Sequence, residues 1–349
     1  MARFKNSNTI SIAASVAFML LLPFLLPRTS YYLNILISFC YFAILSSSLN
    51  LLLGYTGQIS LGHSAFMCVG AYTYAIMHKL HGVPMFIAIV CGIIMSFLFG
   101  LVLGIACSRL SAIFLAMTTG ALVRALSAFI VKEAWLTLGP NGIPGVPRLA
   151  VFGIDKLKVD DYNFWFYFIT LGIAILMVIM CYRLVNSRTG RAFQAIKLSP
   201  IAASAMAINV NRYKFIVCGI SAGMAGVAGI IYAMNVNFIG PEAFNKMSVR
   251  ILTMCVVGGM GTIAGPLIGA VIIAVLPELL RPVASHLEGV YGVVIIFIFL
   301  FMPTGVLGGI KDLAGFIKKR ISASGKLEAA DVEEGGASDG GDSGSSQSE

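Results

Sequence analysis

Blocks of about 20 apolar residues recur along this chain, the length at which a helix crosses the hydrocarbon of a bilayer. They fall at 10–27, 31–53, 57–78, 84–107, 111–131, 163–184, 214–236, 248–280 and 288–310. Lipid offers backbone amides no partner, so such blocks form helices or closed barrels. A barrel strand alternates apolar and polar residues over about ten positions. The run GVVIIFIFLF at 292–301 does not alternate. The fold class is therefore an all-α integral membrane protein, a polytopic helical bundle with glycine-broken or re-entrant segments. Composition agrees: 58% of residues are hydrophobic and 11% charged, against about 25% charged in soluble domains.

The net charge of +9 does not mark nucleic-acid binding. Its cations lie in short loops between apolar blocks, where they set orientation. Segment 183–214 carries Arg183, Arg188, Arg191, Lys197, Arg212 and Lys214 and no acid, so it reads as cytoplasmic, with a loop at about 185–213. Loop 132–162 mixes both signs, contains turn residues from Gly139 to Pro147, and fits the outer face. Both termini read as cytoplasmic. Residues 1–310 form one transmembrane domain, with 10–27 retained as its first span. Residues 311–349 form a tail that ends in a Gly/Ser/Asp/Glu run unable to bury a core.

Nine crossings would leave the termini on opposite sides. The conflict points to 248–280, which is interrupted by GGMGTIAGP at 258–266. Glycine and proline weaken a helix there. The segment is expected to be a re-entrant pair of half-helices or two short crossings, giving eight spans plus a re-entrant element, or ten. Gly258, Gly259, Gly261, Gly265 and Pro266 are hinge or gate candidates.

Segment 49–76 carries polar groups at membrane depth, a costly placement unless they face protein or a wet cavity. Asn50, Gln58, Ser60, His63 and Ser64 are pathway candidates, with Thr118 and Thr119 from block 111–131, and Gly54, Gly57 and Gly62 are further hinge candidates. One reading is a discontinuous helix lining a pathway; the other is close packing of small residues with hydroxyls bonded back to the helix. Arg124 either lines the pathway, snorkels outward or pairs with an acidic loop residue such as Glu133. Segment 189–214 reads as short amphipathic helices around Pro200. These lie at the lipid surface or dock a cytosolic protein.

No enzyme signature is present. HExxH and GxxxxGK[ST] are absent, and the four histidines are scattered. The seven cysteines sit in apolar blocks without a CxxC pair and read as small hydrophobes. No metal site or cofactor is expected on this chain.

A family resemblance rests on several stretches in order: LGYTGQISLGHSAF (53–66), VGAY (69–72), FLAMTT (114–119), GPNGIPGVP (139–147), SRTGRAFQAIK (187–197), AINVNRYK (207–214), SAGMAGVAGIIYA (221–233) and GGMGTIAGPLIGA (258–270). The chain resembles the inner-membrane permeases of branched-chain amino acid ABC importers, in particular the M-type subunit. The resemblance implies half of a heterodimeric channel in the bacterial inner membrane, completed by a second permease subunit. It also implies two cytosolic ATPase subunits, which would carry the ATP, and a periplasmic substrate-binding protein. The solute would be a branched-chain amino acid or a related small polar molecule. The alternative is a self-sufficient secondary transporter or channel. The implied ATPase-coupling loop contains Gly190, Arg191, Ala192, Ala195, Ile196, Ala202, Ala203 and Asn209. Family members usually carry acids after AI(R/K) and a glycine before IN. Here Leu198, Ser199, Pro200, Ser204 and Ala207 stand in those places.

Overall fold

The computed structural model describes residues 29–107, 112–150 and 158–279, with a few single positions beyond them. The expected spans 10–27 and 288–310 and the tail 311–349 lie outside these stretches.

Hydrophobic blocks become helices because each pairs its own amides internally. Helix α1 (Ser30–Asn50) continues through a π-helical turn to Tyr55. After an irregular stretch, α2 (His63–Ala75) runs into a second π-helical turn at Ile76–Leu80. Helices α3 (Met85–Cys107) and α4 (Ala112–Lys132) follow. Residues 132–150 are more than a loop. They hold the single helical turn α5 (Ala134–Thr137), a 3-10 turn and strand β1 (Ile143–Pro144). Then come α6 (Val159–Val185), the short α7 (Arg188–Leu198) and α8 (Pro200–Ala205), and the long α9 (Val210–Val236). Strand β2 (Phe238–Ile239) pairs antiparallel with β1, Ile143 opposite Ile239. Helices α10 (Pro241–Gly258) and α11 (Ala264–Leu279) end the described chain.

Among the described residues five helices are long and apolar enough to cross a membrane: Ser30–Tyr55, Met85–Ala106, Ile113–Lys132, Val159–Val185 and Val210–Val236. Burial separates them. The most apolar stretches of α1 and α9 are 83% and 78% buried, whereas those of α3 and α4 are 22% buried. Helices α1 and α9 are thus the core, and α3 and α4 present apolar surface outward, as Val102 and Ile113 do. Without a hydrophobic drive between helices in lipid, close van der Waals approach holds them. Small residues on α9 supply it. A methyl on Gly70 of α2 would stand 2.6 Å from the Gly226 backbone.

Contacts sort the interhelix connections to two ends. At one end the Ser30 amide donates to Asp160 Oδ1 (2.9 Å), the Tyr74 hydroxyl donates to the Pro147 carbonyl (3.1 Å), and Lys79 bonds the Pro144 carbonyl. The Val146 amide donates to the Asn237 carbonyl (3.1 Å) at the same end. The opposite end gathers residues 56–62, 186–209 and 259–263, and its flanking charges are the cations of segment 183–214. The chain passes from end to end in α1, α2, α3, α4, α6, α9, α10 and α11.

The cationic end is built by capping. Ser187, Ser199 and Asn209 each accept a bond from the amide three residues on, starting α7, α8 and α9. Such caps satisfy amides that a helix start leaves open. Pro200 opens α8, where its missing amide costs nothing.

Candidate functional site

Two irregular turns meet at the cationic end. The first, Thr56–Gly62, joins α1 to α2. The discontinuous helix that one of the two readings placed over 49–76 is instead two helices with this turn between them, and the block expected at 57–78 becomes helical only at His63. The second turn, Gly259–Ile263, joins α10 to α11, and α10 starts at Pro241 rather than near 248. The hairpin is tight. A methyl on Gly258 would strike the Gly265 carbonyl, and one on Gly269 would strike that of Met254.

Asn50 ties the turns together. Its Nδ2 donates to the Thr262 carbonyl (2.7 Å), and its Oδ1 accepts from the Gly261 amide (2.9 Å). Thr262 closes the second turn, its hydroxyl donating to the Gly259 carbonyl (3.0 Å) and accepting from the Gly265 amide (3.0 Å). Gly259 and Gly261 sit at φ +114° and +77°, a region that side chains avoid. Gly54 is a glycine for another reason: a methyl would lie 2.6 Å from the Gly261 nitrogen and against Asn50 Oδ1. Pro266 stands in the first turn of α11 and its carbonyl accepts from Ser46 (3.0 Å). There a proline leaves no bond unmade.

The first turn is bound differently. Thr119 accepts from the Leu61 amide (3.0 Å), and the Gly62 amide donates to Ser60 Oγ (3.3 Å). Gln58, Ser60 and Thr119 line a cavity of about 10 Å³ with Leu52, Phe66, Leu103, Leu115 and Cys218. That space holds one water at most. Gln58 Nε2 is buried there without a hydrogen-bond partner among the described residues.

The remaining candidates disperse. His63 Nε2 is 2.7 Å from Ser48 Oγ, and the Ser64 and Ser248 hydroxyls bond each other. Thr118 is exposed on the face of α4 opposite Thr119's role, and Arg124 is exposed. The polar residues at depth thus mostly join helices. A larger crevice of about 330 Å³ lies between α1, α10 and α11, lined by Asn34, Ser38, Tyr41 and Arg250 among others. Sequence reasoning passed over it, although an arginine at 250, just before the apolar run 251–258, is itself a signal.

In the α7–α8 segment, Ala192, Ile196 and Ala203 are buried against the bundle, as is Phe193. Ala195 is half-buried. Gly190 turns tightly over the Val185 carbonyl, where no methyl fits. Arg191 and Ala202 point outward. The residues most open to a partner are ones the motif did not single out: Leu198, Ile201 and Met206 are 87%, 83% and 78% exposed. Three large apolar side chains are thus displayed on one short segment that also carries cations.

A bundle of apolar helices with two irregular turns and a capped segment at its cationic end is the build of a polytopic helical membrane protein. The profile of the family described as "Branched-chain amino acid transport system / permease component" matches residues 31–303, and the chain belongs to that family. It is 28% identical over 308 residues to the high-affinity branched-chain amino acid transport system permease protein LivM of Salmonella typhimurium, covering 82% of this chain and 71% of that protein. It is 34% identical over 124 residues to the corresponding LivH of the same organism, covering 35% of this chain and 40% of that protein. The fructose import permease protein FruG of Bifidobacterium longum is 25% identical over 264 residues, 72% of this chain and 75% of that protein. No solved structure matches.

Proposed function

We propose that this chain forms half of the translocation pathway of an ABC importer for branched-chain amino acids. A second permease subunit completes the pathway. Two cytosolic ATPase subunits dock at the cationic end, and a periplasmic binding protein delivers solute at the other. ATP belongs to the ATPase subunits. Eight end-to-end passes plus the blocks at 10–27 and 288–310 give ten crossings, with both termini cytoplasmic in a bacterial inner membrane. That count favours two short crossings at 241–279 over a re-entrant element.

The carrying observation is the exposure of Leu198 and Ile201 on two capped helices and of Met206 just after them. Left in water, such side chains each forgo roughly 1.5–3 kcal/mol of burial, so a partner groove that covers them gains that burial. Their position at the corner of α7 and α8 suits an element that receives force. The test is Ile201→Glu in the complete assembly, reconstituted in liposomes with leucine as the solute. The variant is expected to lose both co-purification with the ATPase subunits and leucine uptake. Retention of both, or leucine uptake by this chain purified alone, refutes the proposal.

A further inference from the structure

Lys197 lies in the last turn of α7 and is exposed overall, yet its ammonium reaches the bundle. Nζ donates to the Gly54 carbonyl at 2.6 Å, and this is its hydrogen-bond partner among the described residues. The stem crosses Gly57, where a methyl would stand 3.3 Å from Lys197 Cγ. A methyl on Gly261 would stand 3.5 Å from Nζ. One side chain therefore bonds the end of α1, packs along the first turn and lies beside the second.

The setting favours a cation. Carbonyls in the last turn of a helix lack intrahelical donors and carry partial negative charge. A lysine from α1 itself could serve as a static cap. This one comes from a separate helix 143 positions away, so the bond joins two bodies. One helical turn before Gly54, Asn50 grips the Gly261 amide and the Thr262 carbonyl. The connection runs from α7 through Lys197 to the end of α1, and from there through Asn50 to the α10–α11 turn. A relative shift of about 1 Å would stretch the 2.6 Å bond beyond hydrogen-bond range. Any larger movement of α7 must either carry the end of α1 with it or break this link.

We infer that Lys197 is a positioning residue which transmits displacement of α7–α8 to both helical hairpins at once. The inference rests on the transport reading above. It assigns Lys197 a role apart from the outward side chains: Leu198, Ile201 and Met206 meet the partner, and Lys197 passes the movement inward.

Two measurements test it. In the complete assembly, Lys197→Met should lower leucine moved per ATP hydrolysed by about tenfold, the scale of one lost charge-assisted hydrogen bond. Lys197→Arg, which keeps the cation, should recover most of that ratio. An unchanged ratio in Lys197→Met overturns the inference. The second readout needs neither solute nor partner. In the full chain in lipid nanodiscs, Lys197→Met should speed amide hydrogen exchange at 56–58 and also at 259–263. A merely local cap would loosen only 56–58, and that outcome overturns the inference as well. If the wild-type assembly moves no leucine, the transport reading falls and the exchange result alone decides the role of Lys197.

Discussion

The two turns at the cationic end differ in how their polar groups are satisfied. The 259–263 turn is closed: Thr262 bonds both of its flanks, and Asn50 takes up the Gly261 amide and the Thr262 carbonyl. The 56–62 turn is open by comparison. It leans on Thr119 of α4 for one amide and keeps Gln58 Nε2 buried beside a cavity of about 10 Å³ without a partner. A fully paired turn moves as a unit, whereas one with a spare buried donor can rearrange at lower cost.

The largest test of this contrast strikes both turns. Gly54→Ala places a methyl 2.6 Å from the Gly261 nitrogen and against Asn50 Oδ1. The overpacking is expected to cost roughly 3 kcal/mol, seen as a lowered thermal midpoint in detergent and faster hydrogen exchange in both turns. Wild-type stability in this variant would mean that the turns are not in contact. A middle-sized effect comes from Asn50→Leu. It strips one donor and one acceptor from the second turn, a loss of roughly 2 kcal/mol for partly buried groups. Exchange at 259–263 should rise while that at 61–62 stays near wild type; equal acceleration at both would erase the distinction. The smallest effect is expected from Gln58→Met. Removing an unpaired buried amide in favour of an apolar chain of similar length should leave stability within about 1 kcal/mol of wild type, or raise it. A marked loss would show that the amide holds a bound water or solute.

Much of the fold could be read from the sequence. The blocks at 31–53, 84–107, 111–131, 163–184 and 214–236 become helices within a few residues of those bounds, because hydrocarbon leaves a backbone no other economy. The interruption at 258–266 was legible too, since four glycines and a proline seldom sustain a helix. Other features were not. Sequence cannot tell a broken helix from a turn between antiparallel helices, because glycine suits both, and the 49–76 segment proved to be the latter. The pathway candidates were selected for polarity at depth, a property shared by residues that line cavities and residues that join helices. Thr118 and Thr119 are adjacent and equally polar, yet one is exposed and the other holds the Leu61 amide. Among the residues of 187–214, Ala192 and Ile196 match the motif but face inward, while Leu198, which departs from it, and Ile201, which lies between the matched stretches, face out.

The sequence by itself determined that this chain lives in lipid as a set of helices and which end of the bundle carries its positive charge. Both follow from local quantities: the run length of apolar residues and the placement of lysine and arginine. Only the tertiary structure decided that Gly54, Asn50, Lys197 and Gly261 share one junction. Their bonds span 143 and 211 positions of chain. Such meetings are set by how closely whole helices pack, which no local pattern of residues encodes.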